Sequence, residues 1–148
     1  MMKKIIIIIF ATSILLAQGE HPTTTITPQI VQGEKITLKN LARAIKGFVE
    51  ADVILRGAFL VIDPNTDTVL KLKLEKVHKE RLSHIGEDIY FACADFNAEN
   101  GKVYDLDIFL HGTNTDNLTV TEISVHKEDG IARYGWQEEN GIWSKKYN

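Results

Sequence analysis

The spacing of apolar residues changes character several times along the chain. Leu38, Leu41, Ala42, Ile45, Phe48 and Val49 recur at steps of three and four, which puts them on one face of an α-helix. Thr37 stands where its hydroxyl can accept from a free first-turn amide, so it is the expected N-cap. Asp52 falls where the stripe should continue, and the helix is therefore expected to end near Glu50. Gly47 in its middle is unfavourable by about 0.5–1 kcal/mol against Ala, which would be explained by close approach of another backbone.

Beyond the helix the period drops to two. Ala58 to Ile62 is an apolar run, and Asp63-Pro64-Asn65-Thr66-Asp67 has turn chemistry. Leu70, Leu72 and Leu74 alternate with Lys71, Lys73 and Glu75, as in a strand with one wet face reaching His78 or beyond. A break at Gly86–Asp88 precedes another strand over Ile89–Phe96. Glu99-Asn100-Gly101, Glu128-Asp129-Gly130 and Glu139-Asn140-Gly141 share one chemistry, that of three-residue hairpin loops ending on a left-handed glycine. The expected class is α+β: one N-terminal helix packed on an antiparallel sheet of about five to seven strands.

At the start of the chain the pattern is different again. Lys3 and Lys4 precede a largely apolar run, Ile5 to Leu16, and Ala17-Gln18-Gly19 supplies small residues for signal peptidase. The run is about a dozen residues, short of the roughly 20 that span a bilayer. Residues 1–19 are thus expected to be a signal peptide, 20–36 an extended lead-in with Pro22 and Pro28, and 37–148 one domain, secreted or periplasmic. Without Lys3 and Lys4 the formal charge of −3 becomes −5. Such a balance excludes a general nucleic-acid binder and gives no attraction to an anionic membrane. The single cysteine, Cys93, cannot form a disulfide within the chain, so stability must come from burial.

The order of one helix followed by hairpins resembles the cystatin-like arrangement over residues 37–136, and that resemblance implies a strongly curved sheet gripping the helix. Tyr90 to Phe96 with Val103 to Asp107 also look like stretches of small exported bacterial proteins. Gln29-Ile30-Val31-Gln32-Gly33 has the letters of the inhibitory Q-x-V-x-G loop of cystatins, but it precedes the helix, whereas the family places that loop between central strands. The resemblance carries the fold and not protease inhibition.

Strand register locates the candidate chemistry. With Glu99-Asn100-Gly101 as the loop, Phe96 faces Tyr104, Ala94 faces Leu106, Ala92 faces Ile108 and Tyr90 faces Leu110, an unbroken apolar side. The other side then carries Asp95 opposite Asp105, Cys93 opposite Asp107 and Phe91 opposite Phe109. Opposed carboxylates call for a cation, a shared proton or solvent. Calcium, which takes oxygen ligands, suits the first case, and an acid/base pair the second. Two phenylalanines on that side imply a cover or a contact surface.

Other motifs carry less. Asp63-x-Asn65-x-Asp67 opens like an EF-hand loop, but Thr68 replaces the required Gly and Leu74 the required Glu. His78, His84, His111 and His126 lack zinc-site spacing. Tyr134, Trp136, Trp143 and Tyr147 are expected to close the core. The expected function is a non-enzymatic binding or interaction module for a protein or small ligand, without a cofactor. The alternative is a small hydrolase or calcium-binding protein built on the face of Asp95, Asp105, Asp107, Cys93, Phe91 and Phe109.

Overall fold

The computed structural model describes residues 36–140 and 142–147, together with the backbone of Gln18 and Gly19. The rest of the expected signal peptide, the lead-in and the Gln29–Gly33 string lie outside the described residues. Gln18–Gly19 form a short strand, β1. Helix α1 (Leu38–Arg56) follows, capped by Thr37, whose side chain accepts from the Asn40 amide. It runs six residues past the expected end. Asp52 does not break it but turns toward the start of the following strand, where it pairs with Arg56 one turn on and accepts from the Leu60 amide. Gly57, at φ 79°, ends it with an N–H to Val53 O bond. Leu41 and Ile45 are fully buried, whereas among the described residues nothing lies within 4 Å of where a Gly47 Cβ would stand, so no described backbone accounts for that glycine.

The strands β2 (Phe59–Asp63), β3 (Thr68–Val77), β4 (Ser83–Gly86), β5 (Ile89–Ala98), β6 (Val103–His111), β7 (Thr119–Glu128) and β8 (Ile131–Ala132) form a seven-stranded antiparallel sheet. Its order is β2-β3-β5-β6-β7-β8, and β4 also pairs with β5. The strand expected to run through His78 stops at Val77; a single 3₁₀ turn over Lys79–Arg81 then separates it from β4. Between β5 and β6 the register is the one derived from the apolar pattern, with Phe96 opposite Tyr104 and Cys93 opposite Asp107. Gly101, at φ 83°, ends the three-residue loop as expected.

The other two acidic-Gly turns are shorter than expected. Glu128 pairs directly with Ile131, leaving Asp129 (φ 49°) and Gly130 (φ 82°) as a two-residue loop. Two consecutive left-handed residues match the right-handed twist of the flanking strands, so Asp-Gly selects the tighter hairpin. Glu139 likewise pairs with Ile142.

The helix fills one face of the curled sheet, where Leu41, Ile45 and Val49 join a cluster that includes Phe59, Leu72, Phe96, Leu106 and Ile108. The curl brings the sheet's edges together at one end. Asp63, the last residue of β2, takes both guanidinium nitrogens of Arg133, which directly follows β8, at 2.5 and 2.8 Å. The C-terminal strands do not extend this sheet. β9 (Tyr134–Glu139) and β10 (Ile142–Tyr147) form a hairpin flanked by β1, a second sheet of three strands. Tyr134 and Trp136 of this hairpin pack on Phe91 and Cys93, on the side away from the helix. The main sheet is therefore a middle layer.

Candidate functional site

The face that sequence marks as polar is an interior one, because β9 lies over it. Cys93 and Asp107 are fully buried and Asp105 is 7% exposed. Phe91 is also fully buried, edge-on to Phe109 at 5.5 Å and to Trp136 at 5.9 Å. Tyr134 and Trp136 do close a core, but it is a second one, separate from the core under the helix.

Three of the four polar residues converge. Cys93, Asp105 and Asp107 each bring a ligand-type atom within 4.8 Å of the others. Asp95 lies apart, its Oδ2 2.8 Å from His78 Nε2, while His78 Nδ1 is 3.2 Å from Glu80. The three aspartates are thus not one oxygen-lined site. The Cys93 thiol donates to Asp105 Oδ1 at 2.5 Å. Burial, reinforced by the Asp105 charge, pushes its pKa well up, so it remains a donor. Asp107 Oδ2 accepts from Tyr134 Oη at 2.7 Å and from Trp136 Nε1 at 3.0 Å. Burial and then Asp107 raise the Tyr134 pKa, which keeps that hydroxyl protonated.

His126 is the member that the sequence pattern missed. The β6–β7 register shifts between Asp105 and Leu106, and this bulge places the fully buried His126 against both carboxylates. Its Nδ1 is 3.5 Å from Asp107 Oδ1 and 3.9 Å from Asp105 Oδ2. Its Nε2 lies 3.1 Å from the Tyr134 carbonyl oxygen. A carbonyl only accepts, so Nε2 carries a hydrogen. Arg81 from the 3₁₀ turn stands 4.0 Å from Asp105 Oδ2.

On the helix side lies a second candidate, a groove of about 960 Å³ between the C-terminal half of α1 and β3. Val49, Val53, Ile54, Leu72, Leu74 and Ala98 supply apolar lining, and three lysines (46, 71, 73) balance three glutamates (50, 75, 99). Its floor includes a strand edge that no described strand covers beyond Leu72. β2 begins at Phe59, opposite Leu72, so from Lys73 onward β3 has only β5 as a neighbour among the described strands. The Glu99 amide donates to Lys71 O, which turns the backbone groups of Lys71 toward β5 and those of Leu72 and Leu74 away from it. Leu72 meets Phe59; by the same alternation the Leu74 N–H points to the side that no described strand occupies, just before a bulge between Leu74 and Lys76.

No family model, curated protein sequence or solved structure matches this chain. The fold and the two sites define it as a small α+β domain with a buried polar centre on one side of its sheet and an open groove on the other. Among the described residues no helix is long and apolar enough to cross a membrane.

Proposed function

We propose that this chain is an exported, non-enzymatic binding module of cystatin-like build, and that its partner is an extended peptide segment held in the groove between α1 and β3. The observation that carries the reading is the open edge at Leu74 beside Val53 and Ile54. A strand added there gains main-chain hydrogen bonds from the edge and buries alternate side chains against the helix. Ile54 is 83% exposed, more than a large aliphatic side chain on a sheet-packed helix otherwise needs. The balanced charges of the rim favour a near-neutral segment with apolar residues at every second position. The volume is within the range of binding clefts. Hydrolysis gains no support from the aspartates, since Asp105 and Asp107 lie beneath β9, where a substrate would first have to displace the hairpin.

Selection of random displayed peptides on the immobilised domain tests this. Binders are expected to alternate apolar and polar residues, and Ile54→Asp, a change at an exposed position, is expected to weaken them at least about tenfold. Burying one such side chain is worth about 1.5–3 kcal/mol, and 1.4 kcal/mol is a factor of ten. Binders that are indifferent to Ile54→Asp, or the absence of binders, would overturn the reading.

A further inference from the structure

We propose that the exposed face of α1 around Gly47 receives an acidic flank of the same peptide partner whose extended part fills the groove. The inference rests on the groove reading and adds to it a second contact and a charge requirement.

The argument starts from Gly47. It stands in the middle of a helix of 19 residues, on the exposed side, where only proline is a less favourable choice. Among the described residues nothing lies within 4 Å of where its Cβ would stand, so packing inside the domain gives no reason for the missing side chain. A missing Cβ on an outward face lets another backbone come close from outside. The neighbours on that face are Lys39, Arg43 and Lys46, at steps of four and three and all exposed.

Charge says what comes close. From Lys35 to Val49 the sequence has no acidic residue. Elsewhere the domain pairs its cations: Arg56, Lys71, Lys102, Arg133 and Lys145 each hold a carboxylate. Among the described residues no carboxylate pairs with Lys39, Arg43 or Lys46. These three form one line about 10 Å long on the helix. Lys46 and Glu50, on either side of Gly47, also line the groove. A segment that leaves the groove beside Gly47 therefore meets the line at once. An acidic flank of a few residues fits it better than an anionic membrane does. The chain carries a formal charge of −3, so a charged plane would repel the domain as a whole while attracting only this line.

For the test, a groove peptide from the selection above is resynthesised with four aspartates or four serines at one end or the other, and titrated against the full chain by fluorescence anisotropy. At low salt the aspartate tail is expected to bind about tenfold tighter than serine at one end of the peptide, the sum of three exposed ion pairs of ordinary strength. The gain is expected to vanish at high salt. Lys39→Glu with Arg43→Glu should abolish the gain, leave the serine-tailed peptide bound as before, and favour a four-lysine tail instead. Gly47→Ala is expected to raise the melting temperature, since Ala is the better helix former and no described atom opposes it, and yet to weaken the aspartate-tailed peptide. Aspartate and serine tails of equal affinity at both ends, with Ile54→Asp still weakening both, would overturn this inference and leave the groove reading standing. Binders indifferent to Ile54→Asp would overturn both. Phosphatidylglycerol vesicles that bind through Lys39 and Arg43, while the tails make no difference, would overturn it in favour of a lipid surface. A dimer that dissociates in the double variant would overturn it in favour of a second copy of the chain.

Discussion

At the scale of single residues, the Asp63–Arg133 pair shows how a charge can be kept inside a small domain. Asp63 is 1% exposed, and both its oxygens accept from a guanidinium whose second partner is Glu128. The Arg133 hydrogen bonds hold the Asp63 carboxyl below the usual carboxylate range. Arg133→Met would strand that carboxylate, a loss of about 3 kcal/mol as judged from broken buried pairs and measured by urea unfolding. Lys102→Ala, which removes a surface partner of Glu128, is expected to change stability little. The pH dependence has a fixed sign. Because the folded pKa is depressed, the pair's contribution is complete above the unfolded carboxylate pKa, near 4, and is lost as pH falls through the folded value. The stability gap between wild type and Arg133→Met should therefore narrow on acidification below about pH 4. A gap that widened there would contradict the assignment.

Among the elements, helix and central hairpin answer to pattern, and the C-terminal hairpin does not. Leu41→Asp or Ile45→Asp should cost several kcal/mol by burying an unpaired charge, whereas Lys39→Asp or Lys46→Asp should be nearly neutral. Equal losses in urea titrations would mean that the helix turns a different face inward. The β5–β6 register predicts that Asp107→Cys, mildly oxidised and mass-mapped, joins Cys93, while Ile108→Cys does not, since it points to the helix side. Helix periodicity and this register were legible because each depends on residues close in sequence. The extent of α1 was not, because Asp52 is accommodated by Arg56 and by the Leu60 amide, a contact made only once β2 is in place. The same pair, with Arg56 reaching Leu60 O, also blocks one position of the outer edge of β2 against further strand pairing.

For the whole molecule, what local pattern cannot supply is the choice of layer. Alternation in Tyr134-Gly135-Trp136 reads as another strand of the sheet, yet the chain after Arg133 crosses to the far face and packs there. That crossing supplies the cover that Phe91 and Phe109 implied and makes their face an interior. It assembles His126, Tyr134 and Trp136 around carboxylates that the register had already placed side by side. The bulge that aims His126 leaves no mark in the sequence beyond a histidine in an alternating strand. Export is a further expectation at this scale: N-terminal sequencing should begin at Glu20, and a secreted protein beginning at Met1 would contradict it.

The open edge of β3 is the feature on which the proposed function depends, and amide hydrogen exchange reads it directly. In the free domain the Leu74 amide should exchange far faster than the amides of Leu106 and Ile108 in the sheet interior. It should slow when a selected peptide is bound, with no comparable change on the β9–β10 side. A Leu74 amide already as protected as Leu106 in the free domain, or one unmoved by the peptide, would contradict the account.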